Sequence, residues 1–502
     1  MEMTLKKEKY SGYDVIWSGV TGNEFGMDCV IPDTMPDVGT VIDAEGTVLL
    51  RSRNTEDDRV ALEASVSAVI LYLPEGDGPL RSLPVNIPAV LYMDTPGVSA
   101  MDENIRTVFR LRLRALDARM VNSRKITLRA DVEADAVCYT AGVLSVACEP
   151  EGEETPVHLL TGTTETVSVC DIREKIFVIT DSYSLPSCRK AERILSQRVE
   201  VFSDEAKFVS GKVVFRGRVK ASVLFADGQG EPICAEQYET EFSQIMEANG
   251  EGDVQPEVNV ALTGVYFDMP DSGDSQGKIL AEIHMAAQCV CRQNGELRFI
   301  SDAYSNCVHL LPETESMDVC TEARAVTMRQ TVTGKAEPSA GDGEILSVSA
   351  MVGVVSRMEN GVKTSVTIRI LARNANGQYT VSRCRLGAEF SLEIPDDCRL
   401  SGICVKATDV YCAPGNAGAD VRVTLQLDGV ISRRKSIDCV KSIEADESDV
   451  RDFDSYPSVT MVRSTREGDL WTLAKKHHST MEAIRQANEG KSEGLLLIPK
   501  TR

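Results

Sequence analysis

Three blocks of this chain recur in the same order at a spacing of 153 to 154 residues. "VIPDTMPDVGTVI" (residues 30–42) answers "SLPSCRKAERIL" (184–195), with Pro32 meeting Pro186 at an offset of 154. "SAVILYLPEGDG" (67–78) meets "KASVLFADGQG" (220–230), each a strand pattern running into a Gly/acid turn. "KITLRADVEADAVC" (125–138) meets "KILAEIHMAAQCVC" (278–291) at an offset of 153. A fainter third copy follows in "SVTIRILARNANG" (365–377) and "ADVRVTLQLDGVI" (419–431). A repeat of this length is a domain, so the chain holds three related domains rather than one core.

Each copy is written with a period of two. Ile126, Leu128, Ala130, Val132, Ala134, Ala136 and Cys138 share one strand face, while Thr127, Arg129, Asp131, Glu133 and Asp135 share the other. The second copy places Ile279, Ala281, Ile283, Met285, Ala287, Cys289 and Cys291 in the same way. Strands that bury one face and wet the other belong to antiparallel sheets. The repeats are therefore expected to be antiparallel β-sandwich-like domains over residues 1–148, 160–300 and 310–443. "EPEGEETP" (149–156) divides the first two, and "TGKAEPSAGDGE" (333–344) reads as a loop near the start of the third. From Glu444 to Asp454 six acids face one arginine, so residues 444–457 read as an extended, solvated acidic linker.

The last segment, 458–502, changes period. Thr460–Val462 reads as a strand, Asp469 as an N-cap, and Leu470, Leu473, Ala474 and His477 as the inward face of a helix. Ser479 and Glu482 have capping-box spacing for a second helix that buries Ile484 and Ala487, with Met481 as a further candidate for that face. "LLLI" (495–498) closes as a strand stopped by Pro499. The order is βααβ. From Thr460 to Arg502 eight basic residues face five acidic ones, a surplus of three on a chain of net charge −22.

This module resembles the LysM domain through Gly468, Asp469, Leu470, Trp471, Leu473–Ala474, Ile484, Asn488 and Ile498–Pro499. The resemblance implies a groove for N-acetylglucosamine polymers between its two loops, with Gly468, Asp469, Leu470, Trp471, Ile484 and Asn488 as candidate binding residues. Both loops are shorter than the family pattern: "GDLW" stands where "GDTLW" is usual, and residues are missing between Asn488 and Ile498. The core is kept and the sugar-holding parts are reduced, which favours a protein partner over a glycan. Trp471 has the shape to stack on a sugar ring, although core packing is favoured for it.

"ITDSYSLPSCRKAERILSQRVEV" followed by "GKVVFRGRVKASVLFADGQGE" resembles the SPOCS domain of endospore-forming bacteria. Tandem SPOCS domains with one C-terminal LysM module is the layout of SipL-type spore coat morphogenetic proteins. That resemblance implies work in the mother-cell cytoplasm and recruitment to the forespore surface. It also implies binding through the LysM module to stage IV sporulation protein A, the coat-basement ATPase. The alternative is peptidoglycan binding at cortex or wall.

Enzymatic chemistry is not expected. The five histidines are scattered: His284 lies beside Glu282 on a wet strand face, and adjacent His477 and His478 point apart. Cys289 and Cys291 share a face without a second ligand pair, and the fifteen cysteines include no CxxC, which suits reduced, largely buried thiols. "DMPDSGD" (268–274) lacks calcium-loop spacing and reads as a turn. No nucleotide-binding fingerprint occurs, so no cofactor or metal is assigned. The net charge disfavours nucleic acid, and the sequence offers neither a leader pattern at its start nor an apolar membrane span, which points to retention in the compartment of synthesis.

Overall fold

The computed structural model describes residues 2–501 apart from 77, 151–156, 186–190, 228, 230, 270–276, 338–342, 375, 416–417, 451–454 and 465–469. The chain is almost entirely antiparallel strand until its C-terminal module, as its period-two patterning requires.

One topology occurs three times. In the first repeat a two-residue strand β1 (Glu2–Met3) precedes the long β2 (Leu5–Val30), then a three-stranded sheet β3 (Val38–Glu56), β4 (Arg59–Pro74) and β5 (Arg81–Asp94). Strands β6 (Ile105–Asn122) and β7 (Lys125–Pro150) follow, and β7 pairs back with β2. The second repeat runs β8 (His158–Ser184), β9 (Arg193–Val209), β10 (Lys212–Ala226), β11 (Pro232–Glu247), β12 (Val254–Asp268) and β13 (Lys278–Tyr304), with β13 on β8. The third runs β14 (Val308–Ala336), β15 (Gly343–Val352), β16 (Ser356–Met358), β17 (Gly361–Asn374), β18 (Tyr379–Ser391), β19 (Cys398–Gly415) and β20 (Gly418–Val450), with β20 on β14. The alternating faces meet as intended: Ile126, Leu128, Ala130 and Val132 are fully buried with Val66 and Ile87 from the facing sheet.

The repeats are not beads on a string. In each, the strand that opens the smaller sheet (β3, β9 and β15) slips register beside an apolar residue: Ile42, Leu195 and Leu346. A bulge turns a side chain off its regular face. Here it brings these three residues together with Leu71, Leu224 and Leu371, which occupy matching places on the middle strands, in one apolar cluster shared by all repeats. Next to it the buried Glu45 carboxylate accepts from Ser196 at 2.8 Å and Ser347 at 3.4 Å, so one carboxylate ties all three repeats. Arg369 of the third repeat lies alongside Asp43 of the first and donates to the carbonyls of Ala44 and Leu116.

At the other end the three long two-stranded ribbons β2/β7, β8/β13 and β14/β20, each made of a repeat's long first and last strands, run on past their sheets and pack on one another. Ala147, Ile300, Ala303, Leu310, Val440 and Ile443 form their common core. Single cross-pairings stitch them: Tyr13 with Val169, and Glu2 and Met3 with Glu444 and Ile443. Strands of this length run to the order of 85 Å at about 3.3 Å per residue. The acidic segment shares in this: Glu444–Val450 is the tail of β20, paired with β14, so the stretch expected to be solvated starts as sheet.

The C-terminal module is β21 (Val459–Ser464), α1 (Leu470–Lys476), α2 (Met481–Ala487) and β22 (Gly494–Pro499), the βααβ order read from the sequence. Three local details differ from expectation. The N-cap of α2 is Thr480, whose hydroxyl accepts from the Ala483 amide at 3.0 Å. Ser479 instead is fully buried and donates to the Pro499 carbonyl. Helix α1 stops at Lys476, and the left-handed backbone of His478 (φ 52°) turns that histidine inward while His477 is only half-buried. Ala487 is exposed, because α2 buries Ile484 alone, with Met481 half-buried against the same core. Asp469, the expected N-cap of α1, lies outside the described residues.

Candidate functional site

The module's core does not close on itself. Leu470, Trp471, Leu473, Ala474, Ile484, Leu496 and Ile498 share a cluster with Tyr304, the last residue of β13, and with Leu160 of β8. The C-terminal module is seated on the tip of the second repeat's ribbon.

Polar contacts fix the seat. The Trp471 indole Nε1 donates to Asp302 Oδ2 at 2.8 Å. Lys475, one turn further on the same face of α1, donates its Nζ to Asp302 Oδ1 at 2.7 Å and to Oδ2 at 2.8 Å. Burial pushes the Asp302 carboxyl up, but the hydrogen bonds from Lys475 and Trp471 outweigh it and hold the group below its ordinary value. Tyr304 packs edge-on against Trp471 at 4.8 Å and donates its hydroxyl to the Ser479 carbonyl at 2.8 Å. Burial, with the Asp302 charge adding to it, pushes the Tyr304 phenol up to about 12, so it stays a donor. Asn306, in the turn between β13 and β14, gives its amide to the Thr501 carbonyl at 2.9 Å.

The residues singled out in the sequence divide accordingly. Leu470, Trp471 and Ile484 are buried, and Trp471 is 9% exposed. Asn488 is a brace: its amide donates to the carbonyls of Ile484 and Leu497 at 2.7 Å each, and its Oδ1 accepts from the Leu497 amide at 2.8 Å. It ties the end of α2 to β22. Gly468 and Asp469 lie outside the described residues. Sequence reasoning missed Asp302, Tyr304 and Asn306, which fall in the seam between residues 300 and 310. The self-alignment carries a signal there: where the first repeat reads "CEPEG" (148–152), the second reads "SDAYS" (301–305), an aromatic between polar groups.

A second feature lies where the three repeats meet. A cavity of about 170 Å³ is lined by Thr47, Arg112, Arg198, Asn259, Met351 and Lys406, among residues of every repeat. Its charges are paired internally. Arg110 binds Glu257 and the Gly402 carbonyl, and Arg112 binds Glu133, which also holds Arg114 at 2.8 Å. This arrangement joins repeats rather than presenting reactive groups.

Elsewhere the reactive side chains are spread out. His284 Nε2 lies 2.6 Å from Glu282 on a wet face. Cys289 and Cys291 are buried with their sulfurs 3.7 Å apart. Thirteen of the cysteines, from Cys29 to Cys439, are free thiols. Among the described residues no cluster of three His, Cys, Asp or Glu side chains is placed to hold a metal, and no helix is long and apolar enough to cross a membrane. The "DMPDSGD" turn is largely outside the described residues.

Comparison with known families agrees with this division of the chain. Residues 190–269 match the family described as SipL, SPOCS domain, and residues 466–499 match the LysM domain. The two matches support a SipL-type protein with LysM. Both are non-catalytic binding domains, and together they fit either a sporulation coat adaptor or a LysM peptidoglycan binder. No curated protein matches the chain.

Proposed function

We propose that this chain is a non-enzymatic scaffold of bacterial spore coat assembly, whose LysM module docks on a coat morphogenetic protein of the stage IV sporulation protein A type. The observation that carries this reading is the use made of Trp471. Its ring and its N–H are both engaged by the second repeat, so the aromatic best suited to stack on a sugar is spent on fixing the module in place. A LysM fold held rigidly at the tip of a long β ribbon suits presentation of a protein-binding surface at a set distance from the body. The protein works in this reading in the mother-cell cytoplasm and is recruited to the forespore surface.

Binding of peptidoglycan through the loops beside Gly468, Asp469 and Asn488 is the second reading, favoured by the LysM match itself. Imaging of a fluorescent fusion in sporulating cells separates the two. The scaffold reading expects a shell on the forespore that is lost when residues 458–502 are deleted and when the coat-basement ATPase is absent. A shell that persists without the ATPase but disappears when cortex synthesis is blocked contradicts it.

A further inference from the structure

The seat on the second repeat occupies one side of the LysM module and leaves the opposite side bare. In the β21/β22 hairpin, Thr460, Val462, Leu496 and Ile498 face the helices, so the alternate residues face outward. Those outward residues are apolar: Val459 is 53% exposed, Met461 60%, Leu495 65% and Leu497 40%. Met461 pairs across the hairpin with Leu497, and Arg463 with Leu495, so an exposed arginine sits within the apolar stripe. A surface strand normally alternates apolar in and polar out. This hairpin is apolar on both faces.

We propose that this outer hairpin face, made by Val459, Met461, Arg463, Leu495 and Leu497, is the surface by which the module grips its partner, and that the partner is a protein offering apolar side chains around a carboxylate. The inference rests on the protein-docking reading above and locates it. Apolar side chains around an arginine are the composition of an interface centre rather than of a solvated strand. The exposed stripe amounts to a few hundred Å², the size at which patches on soluble proteins become functional.

One feature argues against a symmetric second copy as occupant. Such a contact apposes two modules that each carry a surplus of three basic residues, Arg463 among them, and like charges oppose it. The module itself has a surplus of three basic residues, so its natural complement is an acidic surface.

The test uses the full-length chain and, as probe, the coat-basement ATPase named above, with anionic phosphatidylglycerol vesicles and chitin hexamer as parallel arms. Met461→Glu and Leu495→Glu are expected to weaken ATPase binding at least thirtyfold, and Arg463→Glu at least tenfold, with unchanged circular dichroism. Ile176→Glu, a like change at an apolar residue 74% exposed in the second repeat, should change affinity less than threefold. Wild-type affinity in both Met461→Glu and Leu495→Glu overturns this inference and leaves the docking reading standing. A wild-type chain that ignores the ATPase overturns both. Loss of vesicle or chitin binding in these variants, with ATPase binding intact, assigns the face to the other ligand and equally overturns it.

Discussion

Trp471 and Lys475, one helical turn apart on α1, converge on the single carboxylate of Asp302 at the end of β13. Three hydrogen bonds on one acceptor make Asp302 the keystone between the LysM module and the ribbon. Asp302→Ala removes all three at once. The pair with Lys475 is partly exposed, so the loss is moderated by solvent, on the order of 1–2 kcal/mol or about tenfold in the docked-to-free ratio. In a Trp17→Phe background, Trp471 fluorescence should shift to the red and amide exchange in α1 should rise. Trp471→Phe keeps the ring and loses only the N–H, so it should give a smaller effect of the same sign.

The same carboxylate makes docking sensitive to acid. Its value is held below the ordinary one when docked, so the bound state favours the charged form. The stabilisation is complete above the ordinary carboxylate value of about 3.9 and is lost as pH falls through the lowered one. Fluorescence titration of the same Trp17→Phe chain should show undocking only on strong acidification. Asp302→Asn should flatten the curve.

Asp43 carries the opposite sign. Burial pushes it up to about 6, against the pull of Arg369. A raised acid favours the protonated folded form, so its contribution is full below about 3.9 and declines as pH rises through about 6. Urea midpoints should therefore fall slightly from pH 4.5 to pH 7 on this account, and Asp43→Asn should remove that slope. A slope that survives the substitution assigns the effect elsewhere.

Strand content, the three-fold repeat and the βααβ module were legible because each is a local pattern, such as the alternation from Ile126 to Cys138. The meeting of the repeats was not, because it rests on register slips beside Ile42, Leu195 and Leu346. A bulge is a backbone event, and these residues look like ordinary members of their strands. The seat was hidden for a related reason. Trp471 was legible as a core residue, but its partner Asp302 is 169 residues away. The outer hairpin face was visible as "LLLI", yet its two-sided apolar character emerges only once the seat accounts for the rest of the module.

The shared cluster predicts how the body unfolds. Leu195→Ala opens a cavity touching all three repeats and should cost about 2–5 kcal/mol. Calorimetry should show one transition for residues 1–450 moving down as a unit. A split, with one repeat melting early and two unaffected, contradicts a common core.

The central claim is that the LysM module binds protein rather than glycan. Biolayer interferometry of the full-length chain against the coat-basement ATPase and against chitin hexamer or muropeptides tests it most directly. Saturable binding to the ATPase, abolished by deletion of residues 458–502, is expected, with none to the glycans at the same concentrations. Micromolar glycan binding with no response to the ATPase would contradict it.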